Sequence, residues 1–205
     1  IPSVLHAISS GDFNSDGYED LAVSHLDGTE MHTNIYANDA GNGFSLYQQL
    51  EGTTYASLDW GDYDNDGDQD LFIGGRILPN QYPYAPNSYL LENSGKGIFK
   101  DVTDDIAEGL KNIGMVSDAL WTDFNRDNQP DLMLVGEWMP ITLFENQNGN
   151  FKNISEEVGF KNSDGWWNTL AQADFDQDGD MDYVAGNFGL NSQLKTSVEY
   201  PICIF

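Results

Sequence analysis

Aspartate recurs at alternate positions in four short segments of this 205-residue chain, Gly11–Val23, Gly61–Ile73, Thr122–Leu134 and Ala173–Ala185, which align without gaps. Counted from the first aspartate of each, positions 1, 3, 5 and 9 hold Asp12, Asn14, Asp16 and Asp20, then Asp62, Asp64, Asp66 and Asp70. The third segment holds Asp123, Asn125, Asp127 and Asp131, and the fourth Asp174, Asp176, Asp178 and Asp182. In a tight loop these side chains converge on one point, while position 7 (Tyr18, Asp68, Gln129 or Asp180) turns its carbonyl oxygen inward. Such an all-oxygen cage suits Ca2+, which takes about six to eight oxygens at roughly 2.3–2.6 Å. Without a cation, three or four carboxylates within about 5 Å would repel strongly. Position 6 is Gly17, Gly67, Asn128 or Gly179, residues that tolerate the left-handed backbone of a sharp turn. The expectation is about four calcium ions with a structural role; the plainer reading of any one loop is an acidic turn that solvates a hairpin.

Competing metal chemistry fits less well. An EF-hand needs Glu at position 12 and a helix after it, whereas position 12 here is Val23, Ile73, Leu134 or Ala185. The histidines, His6, His25 and His32, show no paired spacing with carboxylates, so zinc or a catalytic transition metal is not expected.

The composition agrees with a cation partner. There are 34 acidic residues against 8 Lys and Arg, a net charge of −26, with 40% hydrophobic residues. That excess repels phosphate backbones and anionic lipid, which excludes nucleic-acid and membrane binding through a basic patch. No apolar run reaches the about 18 residues that a spanning helix needs, so no membrane insertion is expected. The first residues, Ile1 to Val4, lack the pattern of a signal peptide, and the reading is that any export signal has been removed. Cys203 is the single cysteine and can form no internal disulfide.

The loops must be carried by strands. Their first aspartates lie 50, 61 and 51 residues apart, the size of one four-stranded propeller blade. Apolar strands leave the loops at Leu21–Val23, Leu71–Ile73, Leu132–Val135 and Tyr183–Ala185. Tyr89–Thr103 and Thr142–Ser155 then read as strand, Asn/Gly turn, strand, with Asn34–Phe44 a looser copy. Helical periodicity is nearly absent; Ile154–Val158 could form one turn.

The cluster Asp-x-Asp/Asn-x-Asp-Gly-x-x-Asp-Leu, with an aromatic-rich strand before it and an Asn-x-Gly-x-Phe hairpin after it, resembles the FG-GAP or VCBS repeat of integrin-α-type β-propellers. Nearest in pattern are secreted bacterial proteins related to the ASPIC/UnbV and cartilage-acidic-protein group. The resemblance covers residues 1–205 and implies an all-β, calcium-stabilised propeller with loops at 12–20, 62–70, 123–131 and 174–182. In the family about seven blades close the ring, the usual role is adhesion or ligand binding, and the usual location is extracellular, cell-surface or periplasmic. About four blades fit this chain, so the expectation is a fragment of a larger ring or several copies completing one, with self-association through the apolar run Tyr200–Phe205.

Successive connections of an antiparallel sheet alternate between its two ends, which puts the remaining loops opposite the acidic ones. Residues assigned there as candidate ligand contacts are Arg76, Tyr82, Tyr84, Glu137, Trp138, Trp166, Trp167 and Asn168, with Thr53–Tyr55 among the joining segments. Stacking rings beside planar polar groups suit a glycan or a protein ligand. The same tryptophans could instead plug the centre or pack between blades. No Gly-x-Ser-x-Gly, His-Glu-x-x-His or P-loop pattern occurs. The leading reading is therefore a secreted or surface binding module without catalysis. The alternative is a polysaccharide lyase or hydrolase on the same scaffold, with Arg76, His25 and Glu137 as its candidate polar groups.

Overall fold

The computed structural model describes residues 4–28, 30–51, 57–95, 97–189 and 197. Strands β1 (Val4–Gly11), β2 (Asp20–Asp27), β3 (Glu30–Asn38) and β4 (Phe44–Glu51) form an antiparallel four-stranded sheet in sequence order. A second sheet of the same order contains β5 (Ser57–Gly61), β6 (Asp70–Gly74), β7 (Tyr89–Asn93) and β8 (Phe99–Asp101). The meander recurs in β9 (Met115–Thr122), β10 (Asp131–Met139), β11 (Thr142–Asn146) and β12 (Phe151–Asn153). A fourth unit supplies the hairpin β13 (Gly165–Ala173) and β14 (Asp182–Asn187). All four acidic segments fall between the first and second strands of a unit, and the strands leaving them run longer than the apolar stretches alone suggest.

The chain is all-β apart from one short helix among the described residues, α1 (Thr103–Ile106), and a 3-10 turn at Phe160–Asn162. α1 and the turn at 154–158 occupy matching places after β8 and β12, where Ile106 N–H donates to the Val102 carbonyl and Val158 N–H to the Ile154 carbonyl. Thr53–Tyr55, Cys203 and Tyr200–Phe205 lie outside the described residues.

Alternation along the strands gives every sheet two apolar faces, and each interface joins opposite faces of neighbouring units. Ala22 and Ile35 of the first sheet pack with Leu71, Ile73 and Phe99 of the second. Phe72 and Leu90, on the other face of the second sheet, pack with Leu132, Leu134 and Phe151 of the third. Met133 and Leu143 then meet Leu170 and Tyr183 of the fourth unit. The first strands approach one another in succession, β1 to β5, β5 to β9 and β9 to β13. Close approach requires a missing side chain at Gly61, where a Cβ would lie 2.7 Å from the Trp121 ring.

One charge is held among these inner strands. Asp59 of β5 is half-buried, and burial raises its carboxyl from 3.8 to about 6, against amide hydrogen bonds from Trp121 and Trp60 and with help from the Asp118 charge. At low pH the folded and unfolded chains both carry this proton. As pH climbs from about 4 to about 6 the unfolded chain releases it first, so stability falls, by at most about 3 kcal/mol at about 1.4 kcal/mol per pKa unit. Asp59→Asn should therefore raise the unfolding free energy by about 1–3 kcal/mol above about pH 7 and change it little near pH 4. Urea titrations at both pH values measure this, and an equal effect at the two would refute it.

Candidate functional site

The four acidic loops share one backbone course. Position 4 is left-handed in each, at Ser15 (φ 55°), Asn65 (59°), Arg126 (62°) and Gln177 (63°), and so is position 6, at Gly17 (88°), Gly67 (96°), Asn128 (66°) and Gly179 (94°). The first aspartate organises the turn. Asp12, Asp62, Asp123 and Asp174 each accept the amide N–H of positions 5 and 6 on separate oxygens. Position 3 also accepts the position-5 amide, from Asn14, Asp64, Asn125 and Asp176. Position 5 accepts the position-7 amide, to Asp16, Asp66, Asp127 and Asp178.

Carboxylates at positions 1, 3 and 9 meet in two loops. Oxygens of Asp62, Asp64 and Asp70 lie within 4.8 Å of one another, as do those of Asp174, Asp176 and Asp182. In the first and third loops Asn14 and Asn125 replace the middle carboxylate. Asp66 and Asp178, assigned as ligands by spacing, stand outside the two triads, each with one oxygen turned to the position-7 amide.

Position 9 ties the first three loops to the hairpin that follows. Asp20, Asp70 and Asp131 are buried, and each accepts an amide N–H from a hairpin asparagine, Asn38 (2.8 Å), Asn93 (2.8 Å) and Asn146 (2.7 Å). The other oxygen of Asp70 takes the Tyr63 amide, that of Asp131 the Phe124 amide, and Asp182 likewise takes the Phe175 amide. The asparagine side chains extend the tie. Asn93 Nδ2 donates to the Phe13 carbonyl of the preceding unit (2.8 Å) and to the Gln69 carbonyl, while Asn146 Nδ2 donates to the Tyr63 carbonyl of the preceding unit (2.6 Å) and to the Pro130 carbonyl. Asn38 stays within its own unit among the described residues, its Nδ2 donating to the Glu19 carbonyl and its Oδ1 accepting the Gly41 amide. Burial pushes the Asp70 carboxyl up to about 7 despite its two amide donors, with Asp64 and Asp66 adding to the rise; burial raises Asp20 and Asp131 as well. Neighbouring loops touch through Arg126 Nη2 and Asp180 Oδ2 (2.8 Å), beside a cleft of about 600 Å³ between the third and fourth loops.

The opposite ends of the same strands gather a different chemistry. Glu137, 3% exposed, accepts Arg76 Nε (2.9 Å) and Nη2 (2.5 Å) on Oε1 and the Tyr82 hydroxyl (3.3 Å) on Oε2. Trp138 Nε1 donates to the Tyr82 oxygen (2.6 Å). Trp138 is left-handed (φ 61°) at a register shift where β10 leaves β9 and pairs with β13, Glu137 standing opposite Trp166. An extra residue at such a shift re-aims its side chain, which here places the Trp138 ring 5.1 Å from Trp166. Phe188, which its spacing had not singled out, continues the row 5.1 Å beyond Trp166 and is 40% exposed. Trp167 lies apart: its indole N–H donates to the Ser163 carbonyl (2.8 Å), so it braces the 3-10 turn instead of joining the row. Tyr84 is 71% exposed, and Asn168 is exposed with its amide on the Trp166 carbonyl (3.4 Å). Of the eight assigned residues, Arg76, Tyr82, Glu137, Trp138 and Trp166 are brought together.

Meandering antiparallel sheets joined face to face, with an acidic turn at the same end of each, define an all-β repeat protein. Residues 12–73 and 123–185 match the FG-GAP-like repeat, and with more than half its length matched the chain belongs to that family. No curated protein matches the chain. Repeats of this family are typical of extracellular or surface proteins and suggest a binding or adhesion module; the family is generally non-catalytic. No helix among the described residues is long and apolar enough to cross a membrane.

The tie between units has a measurable weight. Asn146→Ala strands two carbonyls, and buried acceptors left unpaired each cost about 1–3 kcal/mol, so a loss of about 2–4 kcal/mol is expected in urea unfolding. Asn38→Ala, half-buried and bonded within its own unit, should lose about 1 kcal/mol. Equal losses at the two sites would contradict a tie that acts between units.

Proposed function

We propose that this chain is a calcium-stabilised portion of a β-propeller that binds a carbohydrate or protein ligand outside the cell, through the end opposite its acidic loops. The observation that carries the binding role is the row Trp138, Trp166 and Phe188 beside the Arg76–Glu137 pair, apolar ring surface edged by fixed polar groups. Because Glu137 is buried and held by Arg76 and Tyr82, it serves to orient that edge. Two features support calcium: triads of carboxylates within 4.8 Å, and, as a member of the first triad, a buried Asp70 whose carboxyl burial raises to about 7. Positions 1, 3 and 9, with the position-7 carbonyl, would hold the ion; in the third loop the second oxygen of the position-5 Asp127 already takes the Asn125 and Gln129 side-chain amides.

A ring with further units is supported by the outer faces. Phe44 is 49% exposed, whereas its counterparts in the next two units, Phe99 and Phe151, are 5% and 6% exposed beneath a preceding sheet. On the other side Val184 is 52% exposed against 0% for Phe72 and 1% for Met133. Each outer face thus carries the apolar residue that neighbours cover elsewhere.

Calcium binding is tested by melting with and without chelator. One ion at a hundredfold excess over its Kd adds about 2.7 kcal/mol, and several together should raise Tm steeply. The third loop should bind least tightly, since Asn125 lacks a charge and Asn128 and Pro130 depart from its sister loops. An unchanged melt would remove calcium from the proposal.

Binding is tested separately on an array of neutral and acidic oligosaccharides with the calcium-loaded chain. Trp166→Ala should abolish the signal with little change in Tm. Retained binding, or a collapsed melt, would assign the row to packing alone.

A further inference from the structure

The histidines, distant in sequence, meet at one place in the first sheet. His25 of β2 and His32 of β3 stand directly opposite in the antiparallel register, with ring centroids 5.6 Å apart. His6 lies on the adjoining strand β1, at the shift between Leu5 and Ala7 and beside the Leu5–His25 pairing. Its pKa is lowered, first by burial and then by the neighbouring His25. Spacing along the chain does not reveal this neighbourhood: 18 intervening residues separate His6 from His25, but two turns of a meander bring all three histidines onto adjacent strands.

His25 is anomalous as a core residue. It is 4% exposed, and neither Nδ1 nor Nε2 has a hydrogen-bond partner. A neutral imidazole carries one N–H donor and one lone pair, and burying both unpaired costs about 1–3 kcal/mol per group. A ring kept in that state next to a second imidazole is arranged as a metal ligand, since the unprotonated nitrogen is the donor atom and it needs no proton partner. His32 has the matching outer contact. Its Nε2 lies 3.6 Å from Oε2 of the exposed Glu30, and a carboxylate so placed can orient the ring once a metal takes the other nitrogen.

We propose that the cross-strand pair His25 and His32 binds a divalent transition-metal cation of the Zn2+ class, with solvent completing its coordination, at a site separate from the acidic loops. Nitrogen donors select against Ca2+ and Mg2+, which take oxygen, and the chain's charge of −26 concentrates any divalent cation near its surface. Its two ligands are cross-strand neighbours within one sheet. It stands whether or not the acidic loops bind calcium.

The test uses the whole chain in excess Ca2+, which occupies hard oxygen sites, titrated near neutral pH with Zn2+ against a chromophoric chelator. One equivalent of Zn2+ should bind, and His32→Ala, at a half-buried position, should weaken it by at least about tenfold with Tm little changed. Glu30→Gln should weaken it less. Since His25→Ala could disturb the sheet, the role of His25 is read in the unaltered protein from its ring 15N shifts, which should move on Zn2+ addition. Co2+ in place of Zn2+ should give the visible absorption of nitrogen coordination. Unchanged affinity in His32→Ala, unmoved His25 ring shifts, or absence of saturable binding in excess Ca2+ would each overturn the proposal.

Discussion

The aspartate that closes each acidic loop, buried in the first three, is the contact on which the other features depend. With one oxygen it fixes the start of the loop, through the amides of Tyr63, Phe124 and Phe175, and with the other it fixes the next hairpin, through the amides of Asn93 and Asn146. Hydrogen bonds to an ionised group are worth about 1.5–3 kcal/mol each, roughly double the neutral kind. The paired asparagines carry the effect outward to the carbonyls of Phe13 and Tyr63 in the preceding unit. One carboxylate therefore sets the loop, the hairpin and the spacing of the sheets. It is also the group that burial most disfavours, Asp70 rising to about 7, so the joint is built from a charge that gains from a cation nearby.

Each strand thus joins two unlike environments. At one end the backbone turns twice through left-handed positions and gathers carboxylates; at the other, a shift in β10 lifts Trp138 out of the pairing and lets Glu137 take up Arg76. The antiparallel ladder keeps these chemistries a full strand length apart. Anionic repulsion at the acidic end consequently has little purchase on the aromatic row, and the two can be altered independently.

Much of this was legible in the residues. The loops announce themselves because the requirement is local: Gly17, Gly67, Asn128 and Gly179 are types chosen for left-handed backbone, and the structure gives each a positive φ. The hairpins at 89–103 and 142–155 followed from Asn and Gly between apolar runs. Position 4 was missed because Ser15, Arg126 and Gln177 carry no compositional mark of the left-handed state that the loop imposes on them. Other features were hidden by distance along the chain. Arg76 and Glu137 are 61 residues apart, Asn146 and Tyr63 are 83 apart, and the histidines come together only through sheet register. Trp167 could not be told from Trp166 by type; their alternating directions on β13 separate them, one into the aromatic row and one onto Ser163.

The second unit is longer than the others, and the surplus has a place. β6 ends at Gly74 and β7 begins at Tyr89, whereas β2 and β3, or β10 and β11, are joined by only a residue or two. Extra chain is disfavoured at the acidic end, where the turns of the second and third units are pinned at both limits by Asp70 and Asp131. It can enter at the far end, and there it brings Arg76 and Tyr82 to the tryptophans. Such a molecule can diversify at that end: lengthening a connection there leaves the joints untouched and delivers new side chains to the face opposite the acidic loops, while the architecture that displays them stays fixed.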